Sequence, residues 1–210
     1  MTTIALLGGT GKTGRRVLDR ALAQGHHVQA LVRDPAKVTS SSDHLTVIRG
    51  DVLDPAPVAA TVAGADVVLS LFGQGKGSPR TLQTDGTRHV VQAMQAAGVQ
   101  RVVTLSGGGL HDDGDRPGPA DKIIRFLLKT LSGHVLADAE GHLAVLRDSG
   151  LDWTVVRGPR LTEAPGTGTY RVGQVGVGTG TQISRDDLAD FVLTQVDDRT
   201  FIHRMPFVSA

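Results

Sequence analysis

Short apolar runs alternate with amphipathic stretches along this chain, and most of the later runs follow a glycine. The first run, residues 4–7, is followed by apolar positions 17, 18, 21 and 22, whose spacing places them on one face of a helix. The same change of period recurs, and the further runs cover residues 27–33, 45–49, 65–71, 101–105 and 151–156. Such alternation is typical of repeated βα units, and it predicts a parallel sheet with flanking helices.

The pattern predicts an α/β fold with a single Rossmann-type, doubly wound parallel sheet over residues 1–210. Right-handed crossovers favour the strand order 3-2-1-4-5-6. Helix starts are predicted where a capping residue precedes proline, at Asp34, Asp54 and Ser78, and at the capping box opened by Ser184. A Pro-, Gly- and Thr-rich segment, 159–183, predicts a small C-terminal elaboration.

A second substrate-side element is expected over about 107–133, where a Gly- and Asp-rich loop precedes a helix. The apolar residues of that helix have helical spacing, and they are Ile123, Ile124, Leu127, Leu128 and Leu131. We favour core packing for them over a lid or a dimer face.

Composition excludes several functional classes. The formal net charge of +1 gives no electrostatic field for nucleic acid, and the absence of cysteine excludes disulfides and thiolate chemistry. The eight histidines lack a metal-binding spacing, so no metal is expected. No apolar run is long enough for a membrane span and no signal peptide is recognised, so we expect a cytoplasmic protein without membrane partners.

The loop between the first strand and the first helix carries the candidate chemistry. Glycines at 8, 11 and 14 fit a G-x-x-G-x-x-G dinucleotide fingerprint, in which they allow a tight turn, close approach of a pyrophosphate and close helix packing. The predicted phosphate-binding residues are Gly8, Gly9, Thr10, Gly11, Lys12, Thr13 and Gly14. A Walker A loop would need a glycine at position 6, which is leucine.

Arg33 lies about 20 residues beyond that loop, where NAD-binding folds present a carboxylate to the ribose and an arginine accommodates a 2′-phosphate. Asp34 precedes proline and is better explained as a helix cap. Lys37 would add a second positive charge. We therefore predict NADP in preference to NAD.

Ligands of such sheets bind at the carboxyl ends of the strands, so the residues that follow each strand complete the predicted site. Asp51 and Val52 are expected to border the adenine, although Asp51 is equally consistent with a turn. The remaining predicted cofactor residues are Leu71, Phe72, Gly73, Ser106 and Pro159.

The Tyr-x-x-x-Lys pair of short-chain dehydrogenases is absent, because the single tyrosine is Tyr170 and position 174 is glutamine. Ser106 lacks the glycine that precedes a nucleophilic serine in an elbow motif, which favours a hydrogen-bonding or ribose-orienting role. Arg160 and His111 are its candidate neighbours. Ser106 and Arg160 are the predicted catalytic residues.

Six motifs in order resemble the atypical short-chain dehydrogenase/reductases, particularly the NADPH-dependent flavin reductases also called biliverdin-IX beta reductases. They cover residues 8–14, 31–34, 50–52, 146–151, 167–170 and 183–188. The resemblance implies a Rossmann-type enzyme, monomeric or weakly dimeric, in which Arg33 and Lys37 hold the 2′-phosphate and Ser106 is the active-site serine. Arg160 stands where those reductases have a histidine, and the segment 107–133 is longer.

The leading hypothesis is an NADPH-dependent oxidoreductase that transfers hydride to a flavin, a quinone or a similar conjugated acceptor, with solvent supplying the proton. The alternative is a non-catalytic NADP(H)-binding redox sensor that passes its state to a protein partner. A nucleotide-sugar epimerase or dehydratase ranks last, because it would need the missing Tyr-x-x-x-Lys pair.

Overall fold

The computed structural model describes the backbone of residues 1–210 and the side chains of residues 1–118 and 133–210. The strands are β1 (Thr3–Leu7), β2 (His27–Val32), β3 (Leu45–Arg49), β4 (Val67–Ser70), β5 (Arg101–Gly107), β6 (Asp152–Gly158), β7 (Arg160–Thr162), β8 (Arg171–Gly173), β9 (Gln182–Ser184) and β10 (Phe207–Ser209). The helices are α1 (Lys12–Ala23), α2 (Pro55–Val62), α3 (Leu82–Ala97), α4 (Pro119–Arg147) and α5 (Arg185–Thr194), with a 3₁₀ turn at Pro35–Lys37.

The main sheet has eight strands in the order β3-β2-β1-β4-β5-β6-β10-β8. Its first six strands are parallel and stand in the predicted order, which confirms the doubly wound Rossmann-type fold. The sheet is extended by β10, parallel to β6, and by β8, antiparallel to β10. A separate pair, β7 and β9, belongs to the C-terminal elaboration.

Two apolar cores lie on opposite faces of the sheet. Ala5 and Leu7 point to the face covered by α2, α3 and α4, whereas Ile4 and Leu6 point to the face covered by α1 and α5. This split follows from the two-residue period of a strand, and it explains why β1 is apolar at every position after Thr3.

Local capping explains some helix starts. Asp54 accepts a hydrogen bond from the amide of Ala56 at 3.1 Å, and the Ser184 hydroxyl accepts one from the amide of Asp187 at 2.9 Å. Asp34 likewise caps Ala36 at 3.1 Å, although the helix that follows is a single 3₁₀ turn.

The predicted start at Ser78 is wrong, because α3 begins at Leu82 and is capped from another helix. Asp138 of α4 accepts hydrogen bonds from the amides of Gln83 and Thr84, both at 2.8 Å. Ser78 instead accepts a bond from the amide of Gly75. A tertiary cap of this kind leaves no local sequence signal.

Within the part of the chain that the structure describes, no helix combines the length and the apolar character needed to span a bilayer. The packing predicted for Ile123, Ile124, Leu127, Leu128 and Leu131 lies outside the described side chains.

Candidate dinucleotide site and adjoining cavity

The glycine loop follows β1 with a geometry that two of its glycines make necessary. Gly8 has a φ of 88°, and a Cβ there would lie 2.6 Å from the amide nitrogen of Phe72 at the end of β4. A Cβ on Gly14 would lie 2.1 Å from the carbonyl oxygen of Gly8. The loop therefore turns sharply against β4, and α1 packs directly on it.

Gly11 differs from these two glycines. It is the N-cap of α1, has no side chain to cap the helix, and donates its own amide to the carbonyl of Gly8 at 3.0 Å. A Cβ there would meet only the carbonyl oxygen of Gly8, at 3.2 Å. The first turn of α1 thus keeps free amides at its positive end, as an anion-binding helix start requires.

A cluster of charged side chains joins this loop to the C-terminal elaboration. Glu163 lies 3.1 Å from Lys12, 3.2 Å from Arg16 and 2.9 Å from Arg185, and Arg185 also donates to the hydroxyl of Thr13. The hydrogen bond from Lys12, followed by the bond and charge of Arg185, lowers the pKa of Glu163. Glu163 and Arg185 were not predicted, because nothing local places them beside residues of the glycine loop and α1 that lie 147 to 172 positions away.

The end of β2 presents two cations. Arg33 is exposed, and no hydrogen bond or ion pair joins it to a side chain that the structure describes. The Lys37 ammonium lies 4.0 Å from the Asp34 carboxylate, with 70% of the lysine side chain exposed. Both predicted 2′-phosphate residues are therefore accessible at this edge.

The residues after β3 and β4 pack around α3. The Asp51 carboxylate accepts a hydrogen bond from the amide of Leu53 at 2.9 Å, which is a turn interaction. Val52 and Phe72 meet at Gly86 of α3, where a Cβ would lie 2.2 Å and 2.8 Å from them. Leu71 packs on the α1 and α5 side of the sheet. Gly73 has open space around it.

A cavity of about 480 Å³ opens beyond the carboxyl ends of β5 and β6. It is lined by Gly107, Gly108, Gly109, His111, Asp115, Pro117, Gly158, Pro159, Arg160, Val175, Gly180, Thr181 and Phe207. Both predicted substrate-side segments contribute to its walls. Arg160 and Pro159 line it as neighbours, and Arg160 donates a hydrogen bond to the amide oxygen of Gln182.

Ser106 is not among the lining residues. It is half-buried on β5, one residue before the first lining glycine, and its register partner on β6 is Arg157. The structure brings Arg160 and His111 together in the cavity wall and leaves Ser106 at its edge.

Arg157, which sequence reasoning missed, is fully buried beneath the cavity. Its guanidinium donates to the carboxylate of Asp115 at 2.7 and 3.0 Å and to the amide oxygen of Gln174 at 2.6 Å. It also donates to the carbonyls of Leu110 and Met205, both at 2.9 Å. The available sequence signal was an arginine that directly follows the apolar run 151–156.

Tyr170 takes no part in this cavity wall. Its hydroxyl donates to Asp190 at 3.1 Å, and burial together with the charge of Asp190 raises the tyrosine pKa to about 12. A phenol with that pKa is a poor acid near neutral pH.

Among the side chains described, no group of three His, Cys, Asp or Glu residues is arranged to hold a metal ion.

Comparison with known proteins shows the family of the chain. Residues 8–199 match the profile of a family described as NAD(P)H-binding. The UPF0659 protein C216.03 of Schizosaccharomyces pombe is 27% identical over 97% of this chain and 87% of its own length.

Two solved structures share the fold. A short-chain dehydrogenase/reductase of Veillonella parvula, solved in complex with NADP, superposes with a TM-score of 0.79 at 21% identity over 100% of this chain and 94% of that one. ChuY, an anaerobillin reductase of Escherichia coli O157:H7, superposes with a TM-score of 0.80 at 22% identity over 99% and 97%.

Proposed function

The chain belongs to the NAD(P)H-binding family, and from this premise we propose that it is an NADPH-dependent oxidoreductase that transfers hydride to a flavin, a quinone or a similar conjugated acceptor. The observation that carries the proposal is the cavity at the carboxyl ends of β5 and β6, on the same sheet edge as the glycine loop. A dinucleotide that runs along this edge from the loop would bring its nicotinamide toward the cavity.

The cofactor would be held mainly by backbone amides and by positively charged side chains. The amides of the loop from Gly8 to Gly14 would receive the pyrophosphate at the start of α1. Arg33 and Lys37 would receive the 2′-phosphate, and the accessibility of both cations supports NADP over NAD. The adenine would lie near Asp51 and Val52, and Leu71, Phe72, Gly73 and Pro159 would border the rest of the dinucleotide.

The acceptor would stack in the cavity beside the nicotinamide. Phe207, Val175, Pro117 and Pro159 give its walls the apolar character that a planar ring system needs. Arg160 would hold an anionic group of the acceptor, and Ser106 would orient the nicotinamide ribose by a hydrogen bond. Catalysis would rest on holding the two rings at near-attack distance.

The relatives are consistent with this reaction. ChuY is named as an anaerobillin reductase, and the Veillonella protein was solved with NADP. We propose a small-molecule acceptor of the same general kind here, and an enzyme that acts as a monomer or weak homodimer.

The first test is oxidation of NADPH, followed at 340 nm, with FMN, lumiflavin and a small quinone in turn. Arg33→Ala should lower kcat/KM for NADPH about tenfold or more, because a guanidinium–phosphate contact is lost, and should leave the value for NADH nearly unchanged. Faster turnover of FMN than of lumiflavin would support the role of Arg160.

Arg147→Ala is the matched control. It removes the same charge from an exposed position at the end of α4, and both cofactors should be used as by the wild type. Equal losses with NADPH and NADH in Arg33→Ala would contradict the NADP assignment. NADPH binding without oxidation by any acceptor would replace the reductase by the NADP(H)-binding sensor.

A further inference from the structure

A histidine in the cavity wall is backed by a buried carboxylate and a buried arginine. Nδ1 of His111 lies 3.6 Å from Oδ2 of Asp115, and Asp115 is in turn paired with Arg157. His111 and Asp115 both line the cavity. Since Tyr170 is engaged elsewhere, this imidazole is the side chain of the cavity wall best suited to deliver a proton near neutral pH.

The Asp115 carboxylate is held in place by hydrogen bonds from several groups. Only 5% of its side chain is exposed, and it accepts bonds from Arg157 and from the amides of Val175 at 3.0 Å and Asp112 at 2.9 Å. Burial opposes ionisation, but the bonds from Arg157 and from the amides of Asp112 and Val175 outweigh it, so the pKa of Asp115 lies below its ordinary value. The carboxylate beside His111 therefore stays charged at neutral pH.

The placement of Asp115 also orients the ring. With Nδ1 toward the carboxylate, Nε2 is the nitrogen left for a ligand, and it has no partner among the described side chains. Among charged groups, Asp115 faces the imidazole, Arg157 links Asp115 to Asp112, and Arg160 lines the same cavity. This is the arrangement in which a carboxylate steadies an imidazolium that donates through its other nitrogen.

We propose that His111 is the catalytic proton donor to the reduced acceptor, with Asp115 and Arg157 as the positioning residues that hold it; this proposal rests on the proposed reductase function. Hydride leaves C4 of the dihydronicotinamide and forms a bond to an electrophilic ring atom of the acceptor. The displaced electron pair moves to a conjugated nitrogen or oxygen, which takes the proton from Nε2 of His111. The imidazole, 47% exposed, then regains a proton from solvent.

His111→Ala tests this assignment without a folding risk, since the ring is about half exposed. With the quinone or FMN as acceptor, kcat should fall about a hundredfold, while NADPH binding, measured by fluorescence, should be unchanged. Added imidazole should restore a large part of kcat, because the deleted ring leaves room for it. In the wild type, kcat should fall toward alkaline pH as the proton donor is lost, and this alkaline limb should vanish in the variant.

Two further variants separate chemistry from structure. His203→Gln is the control, because His203 lies at the amino end of β6, where its Nε2 bonds the carbonyl of Leu151, and it should leave kcat unchanged. Asp115→Asn keeps the side-chain size and should move the alkaline limb of kcat to lower pH, since an imidazolium loses its neighbouring anion.

The outcomes distinguish this proposal from the one on which it rests. If the wild type oxidises NADPH with an acceptor but His111→Ala retains kcat within about threefold and gains nothing from imidazole, His111 only lines the cavity and the assignment is wrong. If the wild type binds NADPH and turns over no acceptor, the reductase function itself fails, and the proton donor with it.

Discussion

Gly14 and Gly11 lie in the same loop but have different physical roles, so an alanine should harm folding at the first position and cofactor binding at the second. Gly14→Ala would place a methyl group 2.1 Å from the carbonyl oxygen of Gly8, so α1 must move away from the loop. We expect it to lower the free energy of unfolding by roughly 2–4 kcal/mol, because backbone cannot yield as a side chain does. Urea unfolding, monitored by circular dichroism, measures this loss.

Gly11→Ala should be much less harmful to folding than Gly14→Ala, since its methyl group would meet a single carbonyl oxygen at 3.2 Å. The variant should unfold at nearly the wild-type urea concentration but bind NADPH about tenfold more weakly, because the methyl occupies the space where a pyrophosphate approaches the backbone. Wild-type NADPH affinity in folded Gly11→Ala would show that the phosphates do not rest on this loop.

Individual site residues were predictable from sequence only where chemistry and local pattern coincide. The roles of Gly8 and Gly14 in the turn and in helix packing follow from motif and context, and the structure has both close approaches. His111, Asp115 and Arg157 form one cluster from two chain segments, and no local spacing reveals it. Cofactor contacts and the roles of Ser106 and Arg160 stay predictions that the Arg33 and acceptor experiments address.

At the scale of elements, two buried arginines form hydrogen bonds at opposite ends of the β5–β6 pair. Arg157 ties the end of β6 to the loop after β5 and to Gln174 beyond β8, whereas Arg101, at the start of β5, donates to the carbonyls of Gln195 and Asp152 and to the hydroxyl of Thr154. Each guanidinium satisfies several acceptors that an ammonium cannot reach together. The two residues therefore form a matched pair for mutation.

Arg157→Lys and Arg101→Lys should each lower the free energy of unfolding by about 2–4 kcal/mol, because buried acceptors lose their donors. Only Arg157→Lys should raise the KM for the acceptor, since the cavity walls depend on its contacts, and neither should change the affinity for NADPH. Steady-state kinetics beside urea unfolding separates the two effects. A KM for the acceptor that rises equally in both variants would attribute the loss to lower stability.

The order of the elements was predictable because it depends on local signals and on a handedness rule. Apolar runs with glycine stops specify the first six strands, and right-handed crossovers leave few ways to arrange them. The elements that sequence did not predict depend on long-range partners. β10 is a three-residue strand supported by β6 and β8, and α3 starts where Asp138 caps it rather than at Ser78.

For the molecule as a whole, the stability of the fold depends on a histidine that is buried where α3, α4 and β5 meet. His142 of α4 is 2% exposed, with Nδ1 2.7 Å from the hydroxyl of Thr87 on α3 and Nε2 3.3 Å from that of Thr104 on β5. Burial, only partly opposed by the charge of Asp138, lowers its pKa to about 4. Opening this junction to water would separate α3 and α4 from the sheet, so protonation of His142 is coupled to unfolding.

The sign of the resulting pH dependence follows from the lowered pKa. The unfolded chain binds a proton at histidine below about pH 6.5, whereas the folded protein keeps His142 neutral down to about pH 4. Its contribution to stability is complete above pH 6.5 and is lost as the pH falls toward 4. Between pH 7 and pH 5 the loss should be about 2 kcal/mol. The carboxylates of Asp115, Asp138 and Asp187 have lowered pKa values, so they titrate below this window.

His142→Gln removes the titration while its amide can still bond Thr87, and His134→Gln on the exposed side of α4 is the matched control. Urea unfolding at pH 7 and pH 5 should show a fall in the free energy of unfolding that is about 2 kcal/mol smaller in His142→Gln than in the wild type and in His134→Gln. Equal falls in all three proteins would mean that His142 is protonated without opening the junction. A smaller fall only in His142→Gln would make this one imidazole the main source of acid lability above pH 5, because α3, α4 and the sheet then come apart together.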